Sequence, residues 1–370
     1  MATEPNWAEV RKQFPALANW TYLNTATYGQ TPARAVEAMA RHLAHRDELA
    51  CSDFLSWFDD ADRLRGAIGR LIGCRAEDVA FLATAAQALS LLIGGIDWVP
   101  GDRVLTARDE FPNNVYYPAL LAGRGVEFVE VPACELIDAI DERTRLVAVS
   151  TVSYVTGRRP DCEALARRVE KSRALLYVDG TQSVGALRMD AARLRPAMMA
   201  VDAYKWMLTP NGAGFVYVDP DVRRWLQPNV VGWRSHRDWR SVDNLHHGAP
   251  DFPDAAEKYE GGMLPFPALY ALEAAVEMML ELGPEAIERR VLALASECQS
   301  RLESLGAEVA APGSPVISAR WAGRDSPALA RALREQRVLA SARHGWLRLS
   351  THFYNNEEDL DRLEILLRRL

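Results

Sequence analysis

Two apolar runs in the middle of the sequence each stop at an aspartate, and a reactive side chain follows both of them. LLYV ends at Asp179, with Gln182 three residues further on, and MMAV ends at Asp202, with Lys205 three residues further on. Ligands of open α/β sheets collect beyond the carboxyl ends of the strands. If both runs are neighbouring strands, a carboxylate, an amide and an amine converge on one binding site.

This combination of groups is the one that pyridoxal 5'-phosphate (PLP) requires. Its aldehyde must be held as an imine by a lysine, and its pyridinium must stay protonated to withdraw electrons. A nearby carboxylate favours the protonated ring. Taken singly, Asp179 is also explained as a helix N-cap and Lys205 as a solvated lysine. Their occurrence at two neighbouring strand ends favours the PLP interpretation.

The surrounding sequence alternates between β-rich runs and helical stretches. Strands are predicted at 78–82, 103–106, 126–131, 146–150, 175–178, 198–201 and 214–218, and helices at 85–96, 114–122 and 161–171. This alternation predicts an α/β fold whose mainly parallel sheet is covered by helices on both faces.

The C-terminal part has a smaller α/β pattern. Helices are predicted at 268–282, 284–305, 326–336 and from 356 onward, with strands at 316–319, 338–341 and 346–349. We expect an N-terminal segment that completes the active site (1–30), a large PLP-binding domain (31–270) and a small domain (271–370). An early helix pair, ending near 72, is expected to pack on the small domain or on a partner subunit. The Pro- and Trp-rich stretch 227–252 fits no regular element, and long loops of this kind are usually functional.

Composition excludes several classes of protein. The 370 residues carry a net charge of -7 without a long basic run, so no nucleic-acid partner is expected. No stretch approaches the roughly 20 apolar residues that cross a bilayer, and the first seven residues do not resemble a secretory signal. The five cysteines lack metal-site spacing, which predicts no metal and a reducing, cytoplasmic location: Cys51, Cys74, Cys134, Cys162 and Cys298.

Several motifs together resemble those of the class V aminotransferases, a family of fold-type I PLP enzymes. DGTQSVG and DAYKWMLTPNGAGFVYV resemble its cofactor site, and ATAAQALSLL resembles its phosphate-binding turn. YLNTATYGQTP is similar to its opening motif and LRLSTHFYNNEEDL to its C-terminal motif. The motifs follow the family order. The family includes cysteine desulfurases, selenocysteine lyases, isopenicillin N epimerase-like proteins and kynureninase.

The resemblance implies a role for each cofactor-site residue. Lys205 would form the Schiff base and move the α-proton, Asp179 would pair with the ring nitrogen, and Gln182 would bond the phenolic oxygen. Tyr204 would contact the phosphate, and Phe111 would stack on the ring, although a core Phe explains it equally well. The remaining cofactor contacts would come from the helix-starting turn, where free N–H groups suit a phosphate, and from two strand ends: Thr84, Ala85, Ala86, Ser153, Tyr154 and Asp202.

The resemblance also implies where an amino-acid substrate binds. Arg348, on a predicted strand, would take its carboxylate, since a guanidinium binds a carboxylate in a bidentate manner. Arg343 is the second candidate, and a surface arginine on an alternating strand is the alternative for Arg348. Thr25 and Ala26, in the opening motif, are further candidates for substrate contacts.

Three departures from the family pattern limit the activity. Tyr154 stands where several relatives have an asparagine, and Met263 stands where many have a threonine that reaches the neighbouring subunit's phosphate. No cysteine follows Cys298, so the mobile-loop thiol of the desulfurases is absent from the sequence. Persulfide chemistry requires such a thiolate, and desulfuration by that route is not expected.

The sequence therefore predicts a PLP enzyme that acts on an amino acid, with an aminotransferase as the first candidate. A C–S β-lyase or an amino-acid epimerase of the same family is the alternative, and a non-catalytic binding protein is disfavoured because the key residues are retained. A dinucleotide-binding dehydrogenase is disfavoured since no Gly-x-Gly-x-x-Gly follows the first strand. The resemblance implies a homodimer, and Trp233 and Trp239 in 227–252 are candidates for subunit contacts or for a lid.

Overall fold

A computed structural model describes residues 4–370. The described residues form twelve α-helices, which are α1 (Trp7–Arg11), α2 (Ala33–Leu49), α3 (Ser56–Ile72), α4 (Ala85–Gly95), α5 (Tyr116–Leu120), α6 (Cys162–Val169), α7 (Ala191–Leu194), α8 (Pro220–Trp225), α9 (Phe266–Leu282), α10 (Pro284–Ser304), α11 (Ser326–Glu335) and α12 (Glu357–Arg369).

The same residues form thirteen strands, which are β1 (Thr21–Tyr22), β2 (Val79–Phe81), β3 (Arg103–Ala107), β4 (Glu127–Val131), β5 (Thr144–Ser150), β6 (Leu175–Asp179), β7 (Met198–Asp202), β8 (Gly214–Val218), β9 (Glu308–Val309), β10 (Val316–Arg320), β11 (Val338–Leu339), β12 (Ser341–Arg343) and β13 (Trp346–Ser350).

A seven-stranded sheet with the order β2-β8-β7-β6-β5-β3-β4 forms the largest layer. Five adjacent strands of this sheet are parallel to one another, namely β4, β3, β5, β6 and β7. β8 is antiparallel to both of its neighbours, β7 and β2. β5 to β8 are buried almost throughout, as expected for a sheet covered on both faces. The predicted α/β fold with a mainly parallel sheet is confirmed. Because β6 and β7 are parallel neighbours, Asp179 and Asp202 end at the same edge.

A second, antiparallel sheet has the order β12-β13-β10-β9. α10, α11 and α12 supply apolar side chains to its core, including Leu294, Leu333 and Leu363. β1 near the N-terminus pairs with β11 in a separate parallel ladder, with Thr21 opposite Val338. This ladder fixes the N-terminal segment against the C-terminal part of the chain.

Helices α2 and α3 pack against α9 within the same chain. Phe58 and Leu64 of α3 and Leu269 of α9 belong to one large apolar cluster, which continues through the face of the seven-stranded sheet. The early helix pair thus has its partner inside the chain. No helix in residues 4–370 combines the length and the apolar character needed to cross a bilayer.

Candidate active site

The amine of Lys205 is buried in the loop that follows β7. The residue is 7% exposed, and its Nζ lies 5.3 Å from the centroid of the Phe111 ring. No hydrogen bond or ion pair within residues 4–370 reaches this amine. Burial lowers the pKa of Lys205, and the charges of Asp179 and Asp202 partly oppose the effect. The result is an amine that loses its proton more easily than an ordinary lysine.

The carboxylate of Asp179 ends β6 on the same edge of the sheet. Its Oδ1 accepts the Thr181 N–H at 2.9 Å, and no donor among the described residues bonds its Oδ2. Burial raises the pKa of Asp179, and the hydrogen bonds from Thr181 and the charge of Lys205 lower it. Each of the two groups thus changes the pKa of the other, although they form no ion pair within 4 Å.

These two groups fit PLP. A buried charge without a partner is costly, because the protein interior replaces the lost hydration poorly. A pyridine ring with an aldehyde on one side and a protonated nitrogen on the other satisfies both, since the amine becomes an imine and the carboxylate gains a cationic donor. The structure therefore brings together the pair that the sequence predicted.

Gln182 is held rigidly between two segments. Its Oε1 accepts the indole N–H of Trp206 at 2.9 Å, and its Nε2 donates to the Ala26 carbonyl at 3.0 Å. The second hydrogen on Nε2 has no acceptor among the described residues, which leaves one donor for the cofactor oxygen that the sequence assigned to it. Trp206, which orients the amide, was missed by the sequence analysis.

The turn into α4 presents backbone N–H groups to the same region. Thr84 is the N-cap, and its hydroxyl accepts the Gln87 N–H at 3.3 Å. Asp202 accepts the Ala85 N–H at 2.7 Å, so this N–H is already used. No hydrogen bond within residues 4–370 uses the N–H of Thr84 or Ala86. A phosphate at this helix start thus has two of the three predicted backbone donors available.

Two further side chains flank this turn. The Tyr204 ring lies 5.0 Å from that of Tyr28, and no hydrogen bond of the described residues reaches its hydroxyl. Burial raises the pKa of Tyr204 to about 12, which keeps the hydroxyl a donor at neutral pH. Burial and the charge of Asp179 raise the pKa of Asp202 to about 6.

Phe111 and Tyr154 line the side of the site next to the Lys205 amine. Their rings meet edge to face, with centroids 5.1 Å apart. The Tyr154 hydroxyl bonds Nε2 of His344 at 3.0 Å, a contact that no feature of the sequence indicates. Ser153, the other hydroxyl predicted here, donates to Asp109 at 2.8 Å instead. Of the two predicted residues, Tyr154 is therefore the one whose ring lies against Phe111.

Arg348 is buried on β13 without an acidic partner among the described residues. Its guanidinium donates to the Tyr154 carbonyl at 2.7 Å, to the Ser341 hydroxyl at 3.2 Å and to the Thr27 hydroxyl at 2.6 Å. Burial and the charge of Arg343 lower the pKa of Arg348 to about 9. A guanidinium fixed by neutral oxygens and lacking a counter-ion is suited to a carboxylate ligand.

The opening motif reaches the site through the predicted Ala26, whose carbonyl accepts from Gln182, and through Thr27, which was not predicted. The Thr25 hydroxyl is bonded to the Tyr354 hydroxyl at 2.6 Å, and the Ala26 N–H donates to the Ser350 hydroxyl at 2.8 Å. Both residues are thus engaged with the C-terminal part of the chain. Thr27, two residues after Thr25, is the one whose side chain bonds Arg348.

Glu110 is a polar contact of the site that the sequence analysis missed. Its carboxylate accepts the Ser150 N–H at 2.6 Å, the Ser150 hydroxyl at 2.7 Å and the Asn114 amide at 2.8 Å. Ser150 pairs with Asp179 across β5 and β6. Within residues 4–370 no group of three or more His, Cys, Asp or Glu side chains is arranged to bind a metal.

Comparison with known proteins agrees with this geometry. A family model described as aminotransferase class V matches residues 21–363. A probable cysteine desulfurase of Methanothermobacter thermautotrophicus is 26% identical over 96% of both chains. An isopenicillin N epimerase of Amycolatopsis lactamdurans is 26% identical over 98% of both chains.

Solved structures share the fold. A mutant of the protein C-DES, with glycine covalently linked to its PLP cofactor, superposes with a TM-score of 0.88 at 23% identity, covering 96% of this chain and 98% of the other. A similarity at this level of identity establishes the fold, and the predicted fold-type I architecture is confirmed.

Proposed function

Since this chain belongs to the class V aminotransferase family and is a PLP-dependent enzyme, we propose that it transfers the amino group of an amino acid. The observation that carries the proposal is the buried amine of Lys205, which has no protein partner and shares its sheet edge with the Asp179 carboxylate. A largely buried amine that no group in residues 4–370 bonds is available to react with a ligand.

The residues of the site divide the work of holding PLP. Lys205 would carry it as a Schiff base, Asp179 would bond its ring nitrogen, and the N–H groups of Thr84 and Ala86 would bond its phosphate. Bound PLP supplies an electron sink that stabilises negative charge at the substrate's α-carbon.

Lys205 is the group that moves protons in this proposal. Its lowered pKa leaves a larger fraction of neutral amine near pH 7 than an exposed lysine has, and a neutral amine is a base. Transamination requires one base that takes a proton from one carbon and returns it to another. Lys258, the other largely buried lysine of residues 4–370, donates instead to the Arg223 carbonyl at 2.6 Å.

Arg348 would fix the substrate by its α-carboxylate. Its three neutral acceptors hold the guanidinium in place without neutralising it. Because Thr27 belongs to the N-terminal segment and Tyr154 to the loop after β5, the carboxylate site depends on both. The position in which Arg348 holds the carboxylate would determine whether the α-proton faces the Lys205 amine.

A C–S β-lyase is the second candidate. The relative from Methanothermobacter is named as a probable cysteine desulfurase, and removal of sulfur from cysteine breaks a carbon–sulfur bond. The hydrogen-bonded pair of Tyr154 and His344 at the side of the site is able to give a proton to a leaving group. The β12–β13 hairpin closes through His344 and Gly345 and carries no cysteine, which argues against a persulfide on the enzyme.

We further propose a homodimer in which one apolar face is covered by a second copy. Val230, Val231 and Met263 are 56%, 55% and 57% exposed, and Val230 and Met263 line a cavity of about 410 Å³ whose wall also includes Ala86 of the phosphate turn. Contiguous aliphatic surface of this kind marks an interaction site. The five cysteines form no disulfide among the described residues, which fits the proposed cytoplasmic location.

The Lys205→Ala variant tests the proposed function. The purified enzyme should show the yellow absorbance band of an imine after incubation with PLP, and an amino acid should bleach that band and release a keto acid. Alanine forms no imine, so the variant should lack the band and lose at least 10³-fold in turnover. Reduction with borohydride followed by mass spectrometry should place the cofactor on the Lys205 peptide.

Lys258→Ala is the matched control, because it also removes a buried amine, but one that is bonded to the Arg223 carbonyl. It should keep the band. A wild-type protein that stays colourless with PLP would disprove the cofactor role of Lys205. Pyruvate and a released thiol without consumption of a second keto acid would replace transamination with the lyase, and inversion at the α-carbon alone would replace it with an epimerase.

A further inference from the structure

A second cationic side chain lies on the same face of the small sheet as Arg348. Ser341 of β12 stands opposite Arg348 of β13, and Arg343 stands opposite Trp346. Side chains two residues apart on a strand point to the same face, so Arg343 shares the face of Ser341 and Arg348. The turn between the strands has only two residues, His344 and Gly345, both with positive φ (47° and 83°). A tight turn of this kind holds Arg343 firmly.

Arg343 has no acidic partner within residues 4–370. The hydrogen bond that its guanidinium makes is to the carbonyl of the preceding residue, Ala342, at 2.8 Å. Arg320, on the same sheet, differs in this respect because Glu308 binds it through two oxygens at 2.8 and 2.7 Å. The uncompensated charge is therefore specific to the Arg343 end of the sheet.

The charge of Arg343 reaches the active site. The charge acts to lower the pKa values of Arg348, Lys205 and Tyr154. Burial raises the pKa of Tyr154, and the charge of Arg343 is the strongest of the charges that oppose this rise. Asp109 and Glu110 are the acidic groups that act on Tyr154 in the opposite sense. Both are engaged elsewhere, Asp109 with the hydroxyls of Ser153 and Thr156 and Glu110 with Ser150 and Asn114.

We propose that Arg343, together with the Tyr154–His344 pair, binds a second anionic group at the end of the substrate's side chain. The substrate is thus an amino acid with an acidic side chain, and a carboxylate and a sulfonate share the required chemistry. The inference rests on the proposed function, in which Arg348 takes the α-carboxylate.

The charge balance of the site supports this substrate class. One α-carboxylate neutralises Arg348 and leaves Arg343 uncompensated in a site that is partly shielded from water. A second anion removes the repulsion between the two guanidiniums and gains a charge-assisted hydrogen bond. A neutral side chain, in contrast, would desolvate Arg343 without replacing its water, which penalises apolar amino acids.

Binding of unreactive acids to the PLP-loaded enzyme tests the proposal without turnover. Calorimetry should show succinate, glutarate or 3-sulfopropionate binding at least tenfold more tightly than propionate. Arg343→Gln should weaken the dianions at least tenfold and propionate less than twofold, because only the second anionic group is affected. Arg343→Lys, which keeps the charge, should retain most of the preference. The relative affinities of the two dicarboxylates and the sulfonate identify which anion the site prefers.

Arg320→Gln is the matched control, since it removes a guanidinium from the same sheet that Glu308 already neutralises. It should leave all four affinities unchanged. Equal weakening of propionate and the dianions in Arg343→Gln, or no weakening at all, would overturn the proposal. Such a result would leave the proposed function intact as long as amino acids still bleach the yellow band, whereas a band that no amino acid bleaches would disprove the function itself.

Discussion

The carboxyl of Glu110 links the cofactor site to the interior of the sheet. It accepts two hydrogen bonds from Ser150, whose strand partner is Asp179. Removal from water raises the pKa of Glu110 from 4.5 to about 7, against the hydrogen bonds from Ser150 and Asn114, and the charge of Asp179 adds to the rise. The folded protein therefore holds a proton on Glu110 at a pH at which the unfolded chain has lost it.

The sign of the resulting pH dependence follows from this difference. Between pH 4.5 and 7 the folded state binds more protons than the unfolded state, so the free energy of unfolding falls as the pH rises, by at most about 3 kcal/mol. Glu110→Gln cannot ionise and should lack this decrease. Urea unfolding of both proteins at pH 5, 6, 7 and 8, with the same excess of PLP, measures the difference. Asp202 titrates in both proteins and cancels.

Glu135→Gln serves as the control for this experiment, because Glu135 is exposed and its replacement should leave the pH dependence as it is. If the free energy of unfolding changes with pH in the same way in wild type and in Glu110→Gln, Glu110 is already ionised in the folded protein at pH 5.

At the residue scale the sequence predicted groups that follow strands and missed groups that depend on distant contacts. Asp179 was identified because an apolar run stops directly before it, and Lys205 because it lies shortly after the end of another such run. Thr27 was missed because its partner, Arg348, lies 321 residues away in the sequence. The same applies to His344, whose role depends on a hydrogen bond to Tyr154 190 residues before it. Spacing along the chain carries no information on such pairs.

At the element scale, the loop that carries Lys205 is enclosed by two close backbone approaches. Gly29 donates its N–H to the Tyr204 carbonyl at 2.9 Å, and a Cβ at this position would lie 1.9 Å from the Lys205 carbonyl oxygen. Gly185, with φ of +100°, approaches the next carbonyl, that of Trp206, where a Cβ would lie at 2.3 Å. The loop is thus positioned by the absence of side chains on both segments that touch it.

Gly29→Ala should displace this loop. The added methyl group overlaps a backbone atom, which cannot rotate away, so we expect a loss of roughly 1–3 kcal/mol in the free energy of unfolding and at least a tenfold weaker affinity for PLP. Titration of the apoenzyme with PLP, followed by absorbance, measures the affinity, and thermal unfolding measures the stability.

Gly66→Ala is the control, because a Cβ on this α3 residue meets nothing within 4 Å and alanine favours a helix by up to about 1 kcal/mol. It should keep the affinity and raise the stability slightly. An unchanged PLP affinity in Gly29→Ala would show that the loop tolerates movement.

The elements themselves were predicted closely where their apolar pattern is local. β8 was placed at its observed bounds, and β6 and β7 within one residue at their ends. The stretch 338–341 was predicted as one strand, but it contributes to two: β11 pairs with β1, and β12, from Ser341, pairs with β13. The helix predicted at 114–122 begins only at Tyr116, since Pro118 has no N–H to donate to the Asn114 carbonyl. It ends at Leu120, where the 3-10 helix Leu121–Arg124 continues the chain.

At the scale of the whole molecule, the stretch 227–252 packs on its own chain through its aromatic residues. Trp239 is buried against Phe58 of α3, with ring centroids 4.7 Å apart, and Trp233 contacts both rings. Arg234 bonds the buried Glu260 at 3.0 Å, and Arg65 of α3 bonds the same carboxylate. These contacts account for the aromatic composition within the chain, and the subunit contacts expected of the tryptophans stay a prediction.

The face that remains for a second copy is aliphatic and lies beside this anchored segment. The Arg234 N–H donates to the Gly261 carbonyl at 3.1 Å, and Val230 and Met263 line one cavity. Val231→Asp should weaken the proposed dimer at least tenfold, because a charge would have to be buried in an apolar interface. Sedimentation velocity over a range of concentrations measures the association. Ile365→Asp, at a similarly exposed aliphatic position on α12, should leave the association unchanged.

Dissociation should also lower the affinity for PLP, since the cavity that Met263 lines also includes Ala86 of the phosphate turn. A Val231→Asp protein that stays dimeric would show that this face is not the interface.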